Sequence, residues 1–331
     1  AGGIGTRSSV TITINDHPSS DLDVDKYVNE RTYIASERGS FWTRFRARNP
    51  FYKFNNIRVK TGFLVDNKFD ASNFETHHYV IDKLDVSNGK CKIVAKDVLK
   101  LADNKKAQAP EKSTGALSAD ITSVATSATL TPVGVGSEYP SSGYIRISDE
   151  VMSFTRSGDV MTITRGQYNT AAKDHSEGDT AQICLEYIGD TVDEIIYDLL
   201  VNYAGVDPTF IDTTDWANEV GDNLPNGLNA LITEPVGVQE LLRELAASAP
   251  HSLYWEDVAQ KIILQAVKTP TIEAEELNET QHLLPNFSVK DDGKKRINTV
   301  FVYYGQLDPT KKLDEVNNYS NSYVRLDAEN A

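Results

Sequence analysis

At 331 residues, with 40% hydrophobic and 24% charged side chains, the chain can form two or three domains that each bury a core. Its net charge of −15 disfavours general nucleic-acid binding, because an acidic surface repels the phosphate backbone. No apolar run reaches the roughly 20 residues of a membrane-spanning helix, and two isolated cysteines, Cys91 and Cys184, fit neither a disulfide scaffold nor a thiolate zinc site.

The opening Ala1-Gly2-Gly3-Ile4-Gly5 has neither the basic residues nor the apolar stretch of a signal peptide. It reads as a flexible start in a segment of a longer protein, folded in a reducing cytoplasm. Residues 6–14 alternate apolar and polar and are rich in β-branched side chains, the pattern of a half-buried strand. Similar runs follow at 56–65, 78–86 and 90–95, with Ser87-Asn88-Gly89 suited to a tight hairpin between the last two. An antiparallel sheet or barrel is therefore expected over 1–106.

Residues 102–120, rich in Ala, Lys, Asp, Ser and Thr with Pro110, read as a linker. Short, closely spaced strands at 143–147, 150–156, 160–164 and 180–185 predict a small inserted β module over 113–185. An α/β element is expected over 186–275. Its first helix starts at Thr191 with Glu194 completing a capping box, and Val192, Ile195, Ile196, Leu199, Leu200 and Tyr203 form its apolar stripe. A second helix is predicted over 237–248 with Val238, Leu241, Leu242 and Leu245 inward, then a hairpin from 253–256 and 261–267. Strand character returns within 276–331, most strongly at 297–304, before a polar, loosely held tail from Asp308. The expected fold class is α+β, mainly β: antiparallel β-barrel domains with an inserted small β module and an α/β element.

Catalysis needs titratable groups converging in one pocket, and the candidates are thin. His77 and His78 are adjacent on a strand, so they point to opposite faces and cannot readily share a metal. Asp21, Asp23 and Asp25 lack the glycine and the terminal Glu of a calcium loop. No Gly-rich loop precedes Lys-Ser or Lys-Thr, and no Gly-x-Ser-x-Gly elbow occurs. Asp174 and His175 lie near Arg165 in a turn-rich stretch, where satisfying backbone groups is the expected role. The chain is expected not to be an enzyme, with no catalytic residue, cofactor or metal.

The charge is unevenly spread: residues 1–106 carry 18 Lys and Arg against 13 Asp and Glu, the remainder 15 against 35. Much of the basic excess lies between Arg38 and Lys60, interleaved with aromatics. Arg38, Phe41, Trp42, Arg44, Arg46 and Arg48 are the candidate protein-interface residues, since Arg and aromatics dominate interface hot spots. The same chemistry would suit single-stranded nucleic acid, rings stacking on bases and cations tracking phosphates. Alternatively the aromatics are core and the arginines solvated.

Three stretches together resemble tail-tip (baseplate) hub proteins of long-tailed bacteriophages. They are Gly5–Ile12 with Asn15-Asp16-His17-Pro18, the run from Gly39 to Pro50, and Asn298–Gly305 leading into Asp308-Pro309-Thr310-Lys311. Thr164-Arg165-Gly166-Gln167-Tyr168-Asn169-Thr170, with His175 and Gly178, is similar to a small module that recurs in phage tail proteins. The resemblance implies a homotrimeric structural hub in the virion tail. Such a hub joins the tail tube or distal tail protein to central spike or fibre proteins and surrounds the channel for the tape-measure protein and DNA. It implies no membrane anchor, and DNA only in transit. Two alternatives stand beside it: a nucleic-acid-binding protein using residues 38–60, and a receptor- or glycan-binding tail module carried by 113–185.

Overall fold

The computed structural model describes residues 3–4, 8–18, 28–30, 32, 34, 39–64, 67–68, 70–268 and 299–326. The fold is mainly β, with antiparallel sheets curled into half-barrels and a few helices. Its contacts divide it into two compact units: Ala1–Ala109 with Tyr187–Asn229 and Val236–Val267, and Pro110–Glu186 with Ala230–Pro235 and Lys268–Ala331.

In the first unit, β1 (Gly3–Ile4) pairs in parallel with the later strand 251–256, so these two residues of the start expected to be flexible lie in a sheet. A four-stranded antiparallel sheet follows, from β2 (Ser9–Asn15), β3 (Asn56–Gly62), β4 (Phe74–Ser87) and β5 (Lys90–Lys96) in the order β2-β5-β4-β3. Asn88 and Gly89, both at positive φ, turn β4 into β5, the conformation an Asn-Gly hairpin turn requires. The register slips between Ile81 and Lys83, and such a bulge bends the strand. Asp82, at the slip, is approached by Lys96 at 3.5 Å and Lys100 at 3.8 Å. Helix α1 (Phe41–Arg48) packs on one face of this sheet, where Leu84, Cys91 and Ile93 form a core with Ile12, Trp42 and Phe45.

The expected linker is partly structured: β6 (Gln108–Ala109) pairs with a later strand of the same unit, and Ala107 and Ala109 are buried. The second unit then forms a six-stranded sheet. Its strands are β7 (Ala116–Leu117), β8 (Ser127–Thr131), β9 (Ser142–Ile147), β10 (Glu150–Ser157), β11 (Val160–Gln167) and β12 (Gln182–Ile183), in the order β12-β9-β10-β11-β8-β7. Alternation places Ile145, Met152, Phe154, Met161 and Ile163 in its core, and their neighbours in sequence on the other face.

Beyond β13 (Leu185–Asp190), α2 (Val192–Asp198) starts at the expected capping box and runs on through a wider turn over Leu199–Tyr203. A helix absent from the sequence reading, α3 (Thr213–Asn223), is capped by Asp212 and buries Trp216 and Val220. After β14 (Leu228–Ile232) and β15 (Val236–Gly237), α4 (Val238–Ser248) buries Val238, Leu241 and Leu242; Leu245 is half-buried. The hairpin β16 (His251–Glu256) and β17 (Lys261–Ala266) packs on these helices, with Trp216 Nε1 donating to Ile262 O at 2.9 Å. In the second unit β18 (Thr299–Gln306) pairs antiparallel with β19 (Tyr319–Leu326), so the tail expected to be loose holds a strand instead.

Candidate functional site

The basic-aromatic run folds into α1 and the turn after it. Asp16, at the end of β2, accepts from the Trp42 amide at 3.1 Å and from the Ser40 hydroxyl, while the Phe41 amide donates to His17 O at 2.9 Å. These partners satisfy exposed donors at the helix start and fix its direction. Trp42 and Phe45 then point into the sheet core, and Phe41 stacks on His17 with ring centroids 5.0 Å apart. Arg48 is buried, Arg44 half-buried and Arg46 exposed. Arg38 lies outside the described residues, as do Asp21, Asp23 and Asp25. The helix thus brings five of the six candidate residues together, and it turns the half-buried Trp42 and Phe45 rings towards the sheet core. Among the described candidate cations, Arg46 is the exposed one.

The paired histidines both find partners inside the first unit. His77 Nε2 lies 2.8 Å from Thr61 Oγ1, and its Nδ1 lies 2.5 Å from Asp257 Oδ2. His78 packs edge-on against Phe210, which does the same against Trp255. They point to opposite faces, as expected, and both are half-buried. A hydroxyl, imidazole and carboxylate in this order can pass a proton. Acyl transfer further requires donors aimed at the developing oxyanion in a water-excluded site, and Thr61 sits exposed on a terminal strand of the four-stranded sheet. The contact fastens the β3–β4 hairpin to the β16–β17 turn, helped by Gln260 Nε2 donating to Thr76 O at 2.6 Å.

A buried charge cluster lies in the second unit. Glu150 is wholly buried and accepts from Arg165 Nε (2.8 Å) and Nη2 (2.7 Å), the Gly166 amide (2.9 Å), the Lys173 amide (3.0 Å) and His175 Nε2 (2.9 Å). Burial pushes its carboxyl upward, but Arg165, the two amides and His175 outweigh that and hold it down at about 2. Asp174 accepts from the Ser123 amide at 2.6 Å, the expected backbone role; His175 instead completes the buried cluster. A carboxylate with no exposed surface and every hydrogen bond spent cannot meet a substrate. It pins the 166–175 loop to the sheet.

Neither thiol is poised to react. Burial pushes the Cys184 thiol up to about 12 and raises that of Cys91. Among the described residues no cluster of His, Cys, Asp and Glu could hold a metal ion, and no helix is long and apolar enough to cross a membrane.

The β18–β19 hairpin exposes apolar side chains on both faces. Phe301 and Val324 lie opposite each other on one face, Val302 and Tyr323 on the other, all exposed. Two strands alone are marginally stable in water, and monomeric soluble proteins rarely expose contiguous apolar patches of this kind. No family model, curated protein or solved structure matches this chain.

Proposed function

We propose that the chain is a non-enzymatic structural component of a bacteriophage tail tip, forming a homotrimeric hub that joins the tail tube to the distal tip. Its partners in this reading are the tail-tube or distal tail protein, the tape-measure protein and central spike or fibre proteins. DNA meets it only in transit, and its location is the virion tail. The sequence resemblance is what suggests this family. The observation that carries the assembly role is the β18–β19 hairpin, which bares Phe301, Val302, Tyr323 and Val324 to solvent and so suits a surface covered by neighbours.

Two further features support a scaffold. The chemistry-bearing clusters, Glu150 with Arg165 and His77 with Asp257, are consumed in fastening loops. The acidic remainder after residue 106 would let a DNA phosphate backbone slide past a channel wall without sticking.

The test is immunogold labelling of intact virions with antibody against the chain, followed by reconstruction of the tail tip. The expected result is label at the distal tail and a threefold ring into which the chain fits. Absence of the chain from purified virions would overturn the reading, as would a solitary copy in the density.

A further inference from the structure

One face of the second unit's sheet carries two neighbouring rows of hydroxyl-bearing side chains, bounded on one side by Arg146 and Val151 and on the other by Val160. The register places Ser142 opposite Thr155, Thr155 opposite Thr162, and Thr162 opposite Ser127, giving one continuous row across four strands. At about 4.8 Å per strand the row spans about 14 Å. All four side chains are exposed. The next row runs Tyr144, Ser153, Thr164. These positions alternate with the core residues Ile145, Phe154, Met161 and Ile163, so both rows lie on the side away from the core. Neither row holds a charged residue, although residues 110–186 carry ten Asp and Glu and five Lys and Arg.

An aromatic pair stands at one end of this face. Tyr144 meets Tyr168 edge-on, ring centroids 5.1 Å apart. Tyr168 and Asn169 occupy the centre of a turn closed by the Thr170 amide donating to Gln167 O at 3.1 Å, and both have positive φ. Such turns favour Asn and Gly; a bulky side chain in the left-handed region costs on the order of 1 kcal/mol. Tyr168 is held there by donating its hydroxyl to Glu186, and the residue remains 37% exposed. An aromatic residue is thus kept at the rim of the hydroxyl face against local backbone preference. Strain of this kind gathers at binding sites.

From this juxtaposition we infer that the open face of β8–β11, with Tyr144, Tyr168 and Glu186 at its edge, binds a neutral polysaccharide chain. A ring face can lie on the apolar side of a sugar, while hydroxyls and a carboxylate satisfy its hydroxyls. Uncharged hydroxyls are cheaper to desolvate than ionised groups, so an uncharged polyol matches the face. The acidic surroundings repel anionic polymers, which excludes nucleic acid and acidic glycans from the same surface. The inference stands independently of the hub reading, since it concerns a surface of one chain.

The full chain is tested by affinity electrophoresis in gels containing dextran, mannan or galactan, with polygalacturonate as the charged comparison. At least one neutral polymer is expected to retard the chain, and polygalacturonate is not. Thr155→Lys with Thr162→Lys, and separately Tyr144→Ala, are each expected to weaken retardation at least tenfold, while Tyr144→Phe keeps it. Near-UV circular dichroism checks that each variant is folded, and Thr13→Lys in the first unit serves as the surface control. Failure of all three neutral polymers to retard the chain overturns the inference, as does preference for polygalacturonate. Retardation that survives both the double lysine variant and Tyr144→Ala overturns it too. None of these outcomes touches virion incorporation, so the two readings fail separately.

Discussion

Arg165 grips Glu150 through two parallel hydrogen bonds, Nε to Oε1 at 2.8 Å and Nη2 to Oε2 at 2.7 Å, with the carboxylate fully buried and the guanidinium side chain 9% exposed. Removing one member leaves the other as an uncompensated buried charge, a loss of about 3–5 kcal/mol. Glu150→Ala is therefore expected to destabilise the second unit by that amount in urea denaturation. Glu150→Leu combined with Arg165→Met should lose much less, because both charges are then gone. A Glu150→Ala variant within 1 kcal/mol of the parent would show that the cluster does not hold this unit together.

The same carboxyl sets an acid limit. Burial opposes its ionisation, but Arg165, the amides and His175 lower it from 4.5 to about 2 in the folded chain. Its stabilising contribution is complete above about 4.5 and is lost as the pH falls from there towards 2, since the unfolded chain takes up the proton first. Melting temperature followed through that window should fall steeply for the parent and less steeply for Glu150→Gln. Equal slopes would mean that another group governs acid unfolding.

His251 works in a higher range. It is wholly buried, its Nδ1 lies 2.7 Å from Ala249 O, and its Nε2 has no hydrogen-bond partner. Burial lowers its basicity below 6.5, and the Ala249 carbonyl only partly offsets this. The folded chain keeps the ring neutral where the unfolded chain accepts a proton, so stability is full above about 6.5 and declines as the pH falls below it. Between about pH 8 and 5 the parent's melting temperature should drop relative to that of His251→Leu. A constant gap between the two curves would contradict a ring held neutral by burial.

What the sequence made legible follows from where the signal was local. The α2 capping box at Thr191 and Glu194, the Asn88-Gly89 turn and the alternating strands of the inserted module all act over a few residues, and all are present. Helix α1 was not legible, because eight residues give little periodicity and its start depends on Asp16, 26 positions before Trp42. Helix α3 carries only Trp216 and Val220 as buried residues among acids, although Asp212 offered a cap signal. Strand β19 reads as tail in the sequence because its polar letters conceal a pairing partner 23 residues earlier, Val324 against Phe301. The Glu150 cluster was half legible: Arg165 and His175 stood out, whereas Glu150 looked like any strand residue until the fold buried it.

The division of labour within α1 separates packing from recognition. Trp42 sits in the core with Leu84, Cys91 and Ile93, whereas Arg46 faces solvent one turn further on. Trp42→Ala should cost about 3 kcal/mol, the low end for a large aromatic because the ring is only half-buried. Arg46→Glu should stay within about 0.5 kcal/mol, as exposed substitutions do. If Arg46 serves a protein partner, Arg46→Glu lowers association in the assembled tail without moving the melting temperature, and labelled single-stranded DNA binds parent and variant equally poorly. Salt-sensitive DNA binding by the parent that Arg46→Glu abolishes would instead assign the helix to nucleic acid, since each lost phosphate contact flattens the salt dependence. An Arg46→Glu variant that unfolds would refute the placement of Arg46 outside the packed face.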